Sequence, residues 1–255
     1  MGRPKRRRLG QNFLVDRNVA QKIVALLDDE PPRVLEIGPG RGALTEPLRE
    51  RFASVLALEL DPSLAGELER RYRDSSVSVT NADALRDPLD PLLAADKPWQ
   101  VASNLPYSVG TAILRRLLPR HDLFTRLVVM LQREVAARVV AEPGDRNHGL
   151  LALERAAFAD ADVAFQVGPN AFRPRPKVVS SVIELRLHPP AADPAALQRG
   201  LTLAAHTLNH PRKMLANAVR PLRNADQIIA AGLDPSSRPA TVDLAGWIRL
   251  ALIED

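Results

Sequence analysis

The stretch Arg33-Val34-Leu35-Glu36-Ile37-Gly38-Pro39-Gly40-Arg41-Gly42 restricts the fold more than any other part of the chain. A short run of buried-strand character enters three glycines at alternate positions, and helical patterning resumes at about Ala43. Glycine lets a backbone turn sharply and approach a ligand, and the following helix points its positive end at the same place. The spacing is G-x-G-x-G. It is not a Walker loop, since no Gly-Lys-Ser/Thr closes it, and it is not the G-x-G-x-x-G dinucleotide fingerprint. Strand, glycine turn and helix begin a βαβ unit, so a parallel sheet covered by helices is expected.

Upstream, Asp16 is placed to cap a helix whose apolar positions Val19, Ile23, Val24, Leu26 and Leu27 recur at helical spacing, with Pro31-Pro32 as its stop. Downstream the alternation continues. Residues 54–60 read as a second strand with Glu59 near its end, where carboxylates bind ribose hydroxyls in Rossmann-like sites. Asp61-Pro62 opens a helix, and a third strand over 77–80 leads to Asp83, which suits contact to an adenine amine or a turn cap equally. A fourth strand ends in Asn104-Leu105-Pro106-Tyr107, a turn that the proline stiffens. Strands over 126–131, 163–167 and 178–187 follow, and the last two lack a crossover helix, which permits antiparallel pairing.

Pro189-Pro190-Ala191-Ala192-Asp193-Pro194 has linker composition, and everything beyond it is helical in pattern, with breaks at Pro211, Pro221 and Gly232. The expected organisation is a basic arm over 1–17, a doubly wound α/β domain over 18–188 and a helical domain over 189–255.

Composition acts mainly by exclusion. The chain has no cysteine, which removes disulfides, thiolate catalysis and cysteine-ligated metals. Its five histidines show no metal-ligand spacing, so no metal is expected, and His148 beside Gly149 reads as structural. No apolar run approaches the roughly 20 residues of a membrane span. No apolar segment follows the basic N-terminus, so a soluble cytoplasmic protein is expected. The net charge of +5 lies wholly in the arm, where Arg3, Lys5, Arg6, Arg7, Arg8 and Arg17 face only Asp16. Between 200 and 225, Arg212, Lys213, Arg220 and Arg223 face no carboxylate. Such patches are the footprint of nucleic-acid binders.

The glycine loop, Glu59, Asp83 and the Asn-Leu-Pro-Tyr turn all fall at the carboxyl ends of successive strands, so they converge on one crevice. An acid for ribose and an aspartate for adenine suggest an adenosyl cofactor, and the missing phosphate loop argues against ATP.

Together with Gly10-Gln11-Asn12-Phe13-Leu14, Gln132-Arg133-Glu134-Val135 and Phe172-Arg173-Pro174-Arg175-Pro176-Lys177-Val178, these motifs cover nearly the whole first domain. In content and order the chain resembles the S-adenosylmethionine-dependent ribosomal RNA adenine dimethyltransferases. The resemblance implies a Rossmann-like methyltransferase domain with a seven-stranded, mostly parallel sheet and a small C-terminal all-helical domain. It implies that Gln11, Asn12, Phe13 and Leu14 close over S-adenosylmethionine, whose methionine part lies near Glu36, Gly38, Gly40 and Gly42. Glu59 and Leu60 would hold the ribose, and Asp83 with Ala84 would read the cofactor's adenine. Asn104, which also borders the cofactor, and the Leu105 carbonyl would accept from the target adenine's amine. Pro106 would stiffen that turn, and Tyr107 and Phe172 would stack on the base.

The basic residues Arg3, Lys5, Arg6, Arg7 and Arg8 of the arm, Arg173, Arg175 and Lys177 of the proline loop, and Arg212 and Lys213 would contact RNA. The implied partner is ribosomal RNA in an assembling small subunit, met by a monomer. One departure stands out: where the family carries a phenylalanine before a Gln-Arg-Arg-Lys-like run, this chain reads Leu208-Asn209-His210-Pro211-Arg212-Lys213. Two rival readings follow. The first is a macrolide-resistance methyltransferase acting on large-subunit RNA; Asn-Leu-Pro-Tyr, Gln-Arg-Glu-Val and the Phe-x-Pro-x-Pro-Lys loop favour the small-subunit enzymes over it. The second is a non-catalytic RNA-binding assembly factor, against which the intact cofactor motifs argue.

Overall fold

The structure is a computed structural model that describes residues 12–93 and 97–253; Gln11 and the arm residues Arg3, Lys5, Arg6, Arg7 and Arg8 lie outside this range. The described residues divide into two compact units, one holding those up to Ala136 plus Asp162–Arg186, the other holding Ala137–Ala161 plus those from Leu187.

The elements run β1 (Phe13–Leu14), α1 (Arg17–Ala25), β2 (Arg33–Ile37), α2 (Thr45–Arg51), β3 (Ser54–Glu59), α3 (Pro62–Tyr72) and β4 (Val77–Asn81). Next come α4 (Asp90–Leu93), β5 (Trp99–Asn104), α5 (Gly110–Leu117), β6 (Phe124–Gln132) and α6 (Arg133–Val139). After α7 (Leu150–Ala156), β7 (Ala159–Val167), β8 (Phe172–Arg173) and β9 (Ser180–Leu187), the remainder is helical: α8 (Pro194–Thr207), α9 (Leu215–Ala218), α10 (Ala225–Ala230) and α11 (Leu244–Leu252).

Seven strands form one sheet in the order β4-β3-β2-β5-β6-β9-β7. The pairs from β4 through β6 are parallel, and β9 runs antiparallel to β6. Helices occupy the crossovers and cover the faces, so central strands must be apolar throughout rather than alternating. Val34, Leu35, Val55, Ala57, Val101 and Ala102 are accordingly all buried. Register sets the strand ends side by side: Glu36 pairs with Ala57 and Ala102, Glu59 with Asn81, and Asn104 with Met130. Helices α1 and α3 begin on aspartate caps, as their sequences predict: Asp16 accepts from the Asn18 and Val19 amides, and Asp61 from those of Ser63 and Leu64.

A separate two-residue ladder, β1 with β8, was not foreseen from sequence. It joins Phe13 to Arg173 and Leu14 to Phe172 in antiparallel register, tying the segment before α1 to the proline loop.

In the second unit, Leu197, Leu203, Leu215, Ile228 and a fully buried Trp247 share a core. Leu153 and Ala157 join it, which explains why residues 137–161 belong with the C-terminal helices although the sequence reading kept them in the first domain.

Candidate active site

A cavity of about 490 Å³ opens at the carboxyl ends of β2, β3, β4 and β5, the size of a site for a small organic ligand. Its wall includes Asn12, Phe13 and Leu14 from the N-terminal segment, Glu36 from β2, and Gly38 and Gly40 from the glycine turn. Glu59, Leu60, Asp83 and Ala84 add the next two strand ends, and Asn104, Leu105, Pro106 and Tyr107 add the fourth. The convergence expected from strand order is therefore present.

The glycine turn makes the floor. Gly38 and Gly40 adopt φ of 68° and 59°, a region costly for any residue with a Cβ. Nothing lies within 4 Å of where a Gly38 Cβ would stand, so that space is left to the cavity. At Gly40 a Cβ would fall 2.9 Å from the Phe13 ring, which packs directly on the turn, and the Arg41 guanidinium covers the same ring, 5.2 Å from its centre. Gly42 does not line the cavity. Its Cβ would instead meet the Tyr72 hydroxyl at 3.0 Å and Leu68 at 3.2 Å, so this glycine serves packing against α3.

Two carboxylates stand beneath this floor. Glu59 accepts from the Gly40 amide through one oxygen and from the Asp61 amide through the other, each at 2.9 Å, and so fixes the turn to the start of α3. Each oxygen keeps a lone pair for a further donor. Glu36 accepts from the Thr45 hydroxyl at 2.6 Å. Burial pushes the Glu36 carboxyl up to about 8; the Thr45 hydrogen bond opposes that rise and the nearby Glu59 adds to it. Asp83 lines the cavity, and its Oδ1 accepts from the Leu85 amide at 2.9 Å as a turn cap does.

Asn104 ends β5 with its amide divided. Its Nδ2 donates to the Asn12 carbonyl at 3.2 Å, and its Oδ1 accepts from none of the described residues. Tyr107 lies half-buried on the same wall, its hydroxyl 2.6 Å from that of Ser180. Phe172, expected as a second stacking ring, is fully buried and absent from the wall. Its ring belongs to the apolar cluster of Leu14, Val167, Ala171 and Val182, because pairing of β8 with β1 turns it into the core.

Arg173, Arg175 and Lys177 are exposed around a buried Pro176, and Arg212 and Lys213 are exposed in the second unit. Three positions escaped the sequence reading: Thr45, Ser180 and Gly110, whose Cβ would lie 2.9 Å from Leu131 Cδ2 and 3.2 Å from Leu105 Cβ. Gly110 thus lets α5 start against the Asn-Leu-Pro-Tyr turn. A glycine at a helix start three residues past that turn was the available signal; hydroxyl side chains gave none.

An adenosyl sulfonium cofactor fits this donor and acceptor set. The open space over Gly38 admits close approach, Glu59 and Asp83 offer acceptors to hydroxyls and an amine, and the carboxylates suit a cationic group.

The chain matches the family model described as ribosomal RNA adenine dimethylase over residues 2–251. It is 37% identical over 250 residues to a ribosomal RNA small subunit methyltransferase A of Alcanivorax borkumensis, covering 97% of this chain and 89% of that one. A protein of the same name from Roseobacter denitrificans is 42% identical over 260 residues, covering 96% and 90%. Among solved structures, the 23S rRNA methyltransferase ErmE superposes with a TM-score of 0.72 at 26% identity, covering 94% of this chain and 98% of that chain. Geometry and relationship agree: the chain belongs to the ribosomal RNA adenine dimethylase family.

Proposed function

We propose that this protein dimethylates N6 of adenines in small-subunit ribosomal RNA, using S-adenosylmethionine, during ribosome assembly in the cytoplasm. The observation that carries the reading is Asn104, a cavity-wall amide with its NH₂ engaged by Asn12 and its oxygen left to accept.

When bound, the cofactor supplies an electrophilic methyl group on a good leaving group. What this chain contributes is position. The target amine's lone pair is delocalised into the adenine ring, so the nitrogen is a poor nucleophile. Acceptors at Asn104 Oδ1 and the Leu105 carbonyl engage its two hydrogens and favour a pyramidal nitrogen whose lone pair is free. Holding the reacting atoms in line then supplies most of the acceleration, and no strong base is needed. A neutral amide also suits a second round on the monomethylated product, since it does not hold the amine by charge. The base must leave its stack to enter, and Tyr107 offsets part of that cost, a base–aromatic stack being worth ~1–3 kcal/mol. Arg173, Arg175 and Lys177, with Arg212 and Lys213 of the second unit, are the cations we assign to RNA phosphates. Exposed arginine and lysine release counterions on such contact, so binding should weaken steeply with salt.

Identity to the small-subunit relatives exceeds that to the large-subunit ErmE by more than ten percentage points over comparable spans, which favours the small subunit. Tritiated methyl transfer to unmodified small and large subunits tests the choice. Label in adenines of small-subunit RNA is expected; label confined to large-subunit RNA would overturn it.

A further inference from the structure

We infer that Ser180 is a positioning residue for the methyl transfer proposed above, acting through Tyr107. The inference rests on that reading of the cavity. Ser180 is the first residue of β9 and is fully buried, with its hydroxyl 2.6 Å from the Tyr107 phenol. A buried hydroxyl without a partner is costly, so this contact is strongly favoured over alternatives. The frame behind Ser180 is rigid: its backbone pairs with Gln132, and the neighbouring Val179 carbonyl accepts from the Arg133 amide at 3.0 Å.

Tyr107 follows β5, while Ser180 belongs to β9, with β6 between them in the sheet. The hydrogen bond therefore ties the far end of the tyrosine ring to a different strand from the one that carries its backbone. A tyrosine fixed at both ends cannot swing about its first two side-chain torsions. It becomes a plate of fixed orientation on the cavity wall. That fixation matters more because Phe172 is withdrawn into the core, leaving Tyr107 as the one of the two expected aromatics that faces the cavity. In this account the Tyr107 hydroxyl serves orientation and does not touch RNA.

The test is a double-mutant cycle on methyl transfer to unmodified small subunits, with Ser180→Ala, Tyr107→Phe and the pair, alongside cofactor affinity by calorimetry. A hydroxyl–hydroxyl bond of ordinary strength predicts a loss of about 3- to 10-fold in kcat for Ser180→Ala with cofactor affinity unchanged. Tyr107→Phe should lose the same factor, and the double variant no more than either. Wild-type kcat in Ser180→Ala would overturn the inference, as would losses that multiply in the double variant or a matching loss of cofactor affinity. If the unmutated protein places no label in small-subunit adenines, the functional reading itself fails. If it does and Ser180→Ala is silent, only this inference fails.

Discussion

Strand β5 carries a primary amide near each end, and the two are used in opposite ways. Gln100 is fully buried with its oxygen and both its donors engaged: its Oε1 accepts from the Asp28 amide at 2.8 Å, and its Nε2 donates to the Asp28 and Pro31 carbonyls at 2.8 and 2.9 Å. It ties the loop after α1 to the amino end of the sheet. Asn104 donates once and keeps its oxygen for the cavity. On the reading proposed above, the same chemical group is structural where each of its polar atoms is engaged within the protein and functional where its oxygen is left free at the cavity wall. The charged groups divide the same way. Arg120 is engaged with Asp90 and Asp122 beside the amino end of β6, whereas Glu59 and Asp83 stand at the carboxyl ends and line the cavity.

The contrast is sharpened first by breaking the cavity without touching either amide. Gly40→Val forces a β-branched residue into φ 59° and drives its Cβ into the Phe13 ring. Cofactor affinity measured by calorimetry should fall on the order of 100-fold, as expected when a floor of backbone close approach is lost. Gln100→Leu should act on the fold alone. Losing three hydrogen bonds predicts a destabilisation of about 2–3 kcal/mol in urea unfolding, with kcat of the folded fraction retained.

Glu36→Gln gives a smaller, pH-dependent effect. The carboxyl is held at about 8 in the folded protein against 4.5 in the unfolded chain. Between those values the folded state keeps a proton that the unfolded state releases, so stability is greatest below 4.5 and declines as pH rises toward 8. Glutamine has no proton to lose. From pH 6 to pH 8 the wild type should therefore lose about 2 kcal/mol relative to the variant; parallel stability curves would remove Glu36 from the account.

Much of the site was legible in the sequence because its landmarks are local. Apolar runs punctuated by glycine, proline and aspartate mark strand ends, and the order of those ends fixes which motifs meet. What was not legible depends on contacts distant in sequence. Gln100 reaches Asp28 across 72 positions and Tyr107 reaches Ser180 across 73, pairings that only sheet order reveals. Phe172 looks the same in sequence whether it stacks on a base or fills a core, and the β1–β8 ladder decides for the core. Gly42 shares the spacing of its neighbours but faces α3. Leu153 of α7 would suit either core, and the second unit takes it.

The most direct measurement sets Asn104→Ala beside Gln100→Ala, reading tritiated methyl transfer to unmodified small subunits together with thermal stability of each variant. Removing a group that orients the reacting atom typically costs on the order of 100-fold or more in rate. The account predicts that loss for Asn104→Ala with a melting temperature lowered much less than in Gln100→Ala, and for Gln100→Ala a clearly lowered melting temperature with kcat retained. Substantial methyl transfer by Asn104→Ala, or a matching fall in stability for both variants, would contradict it.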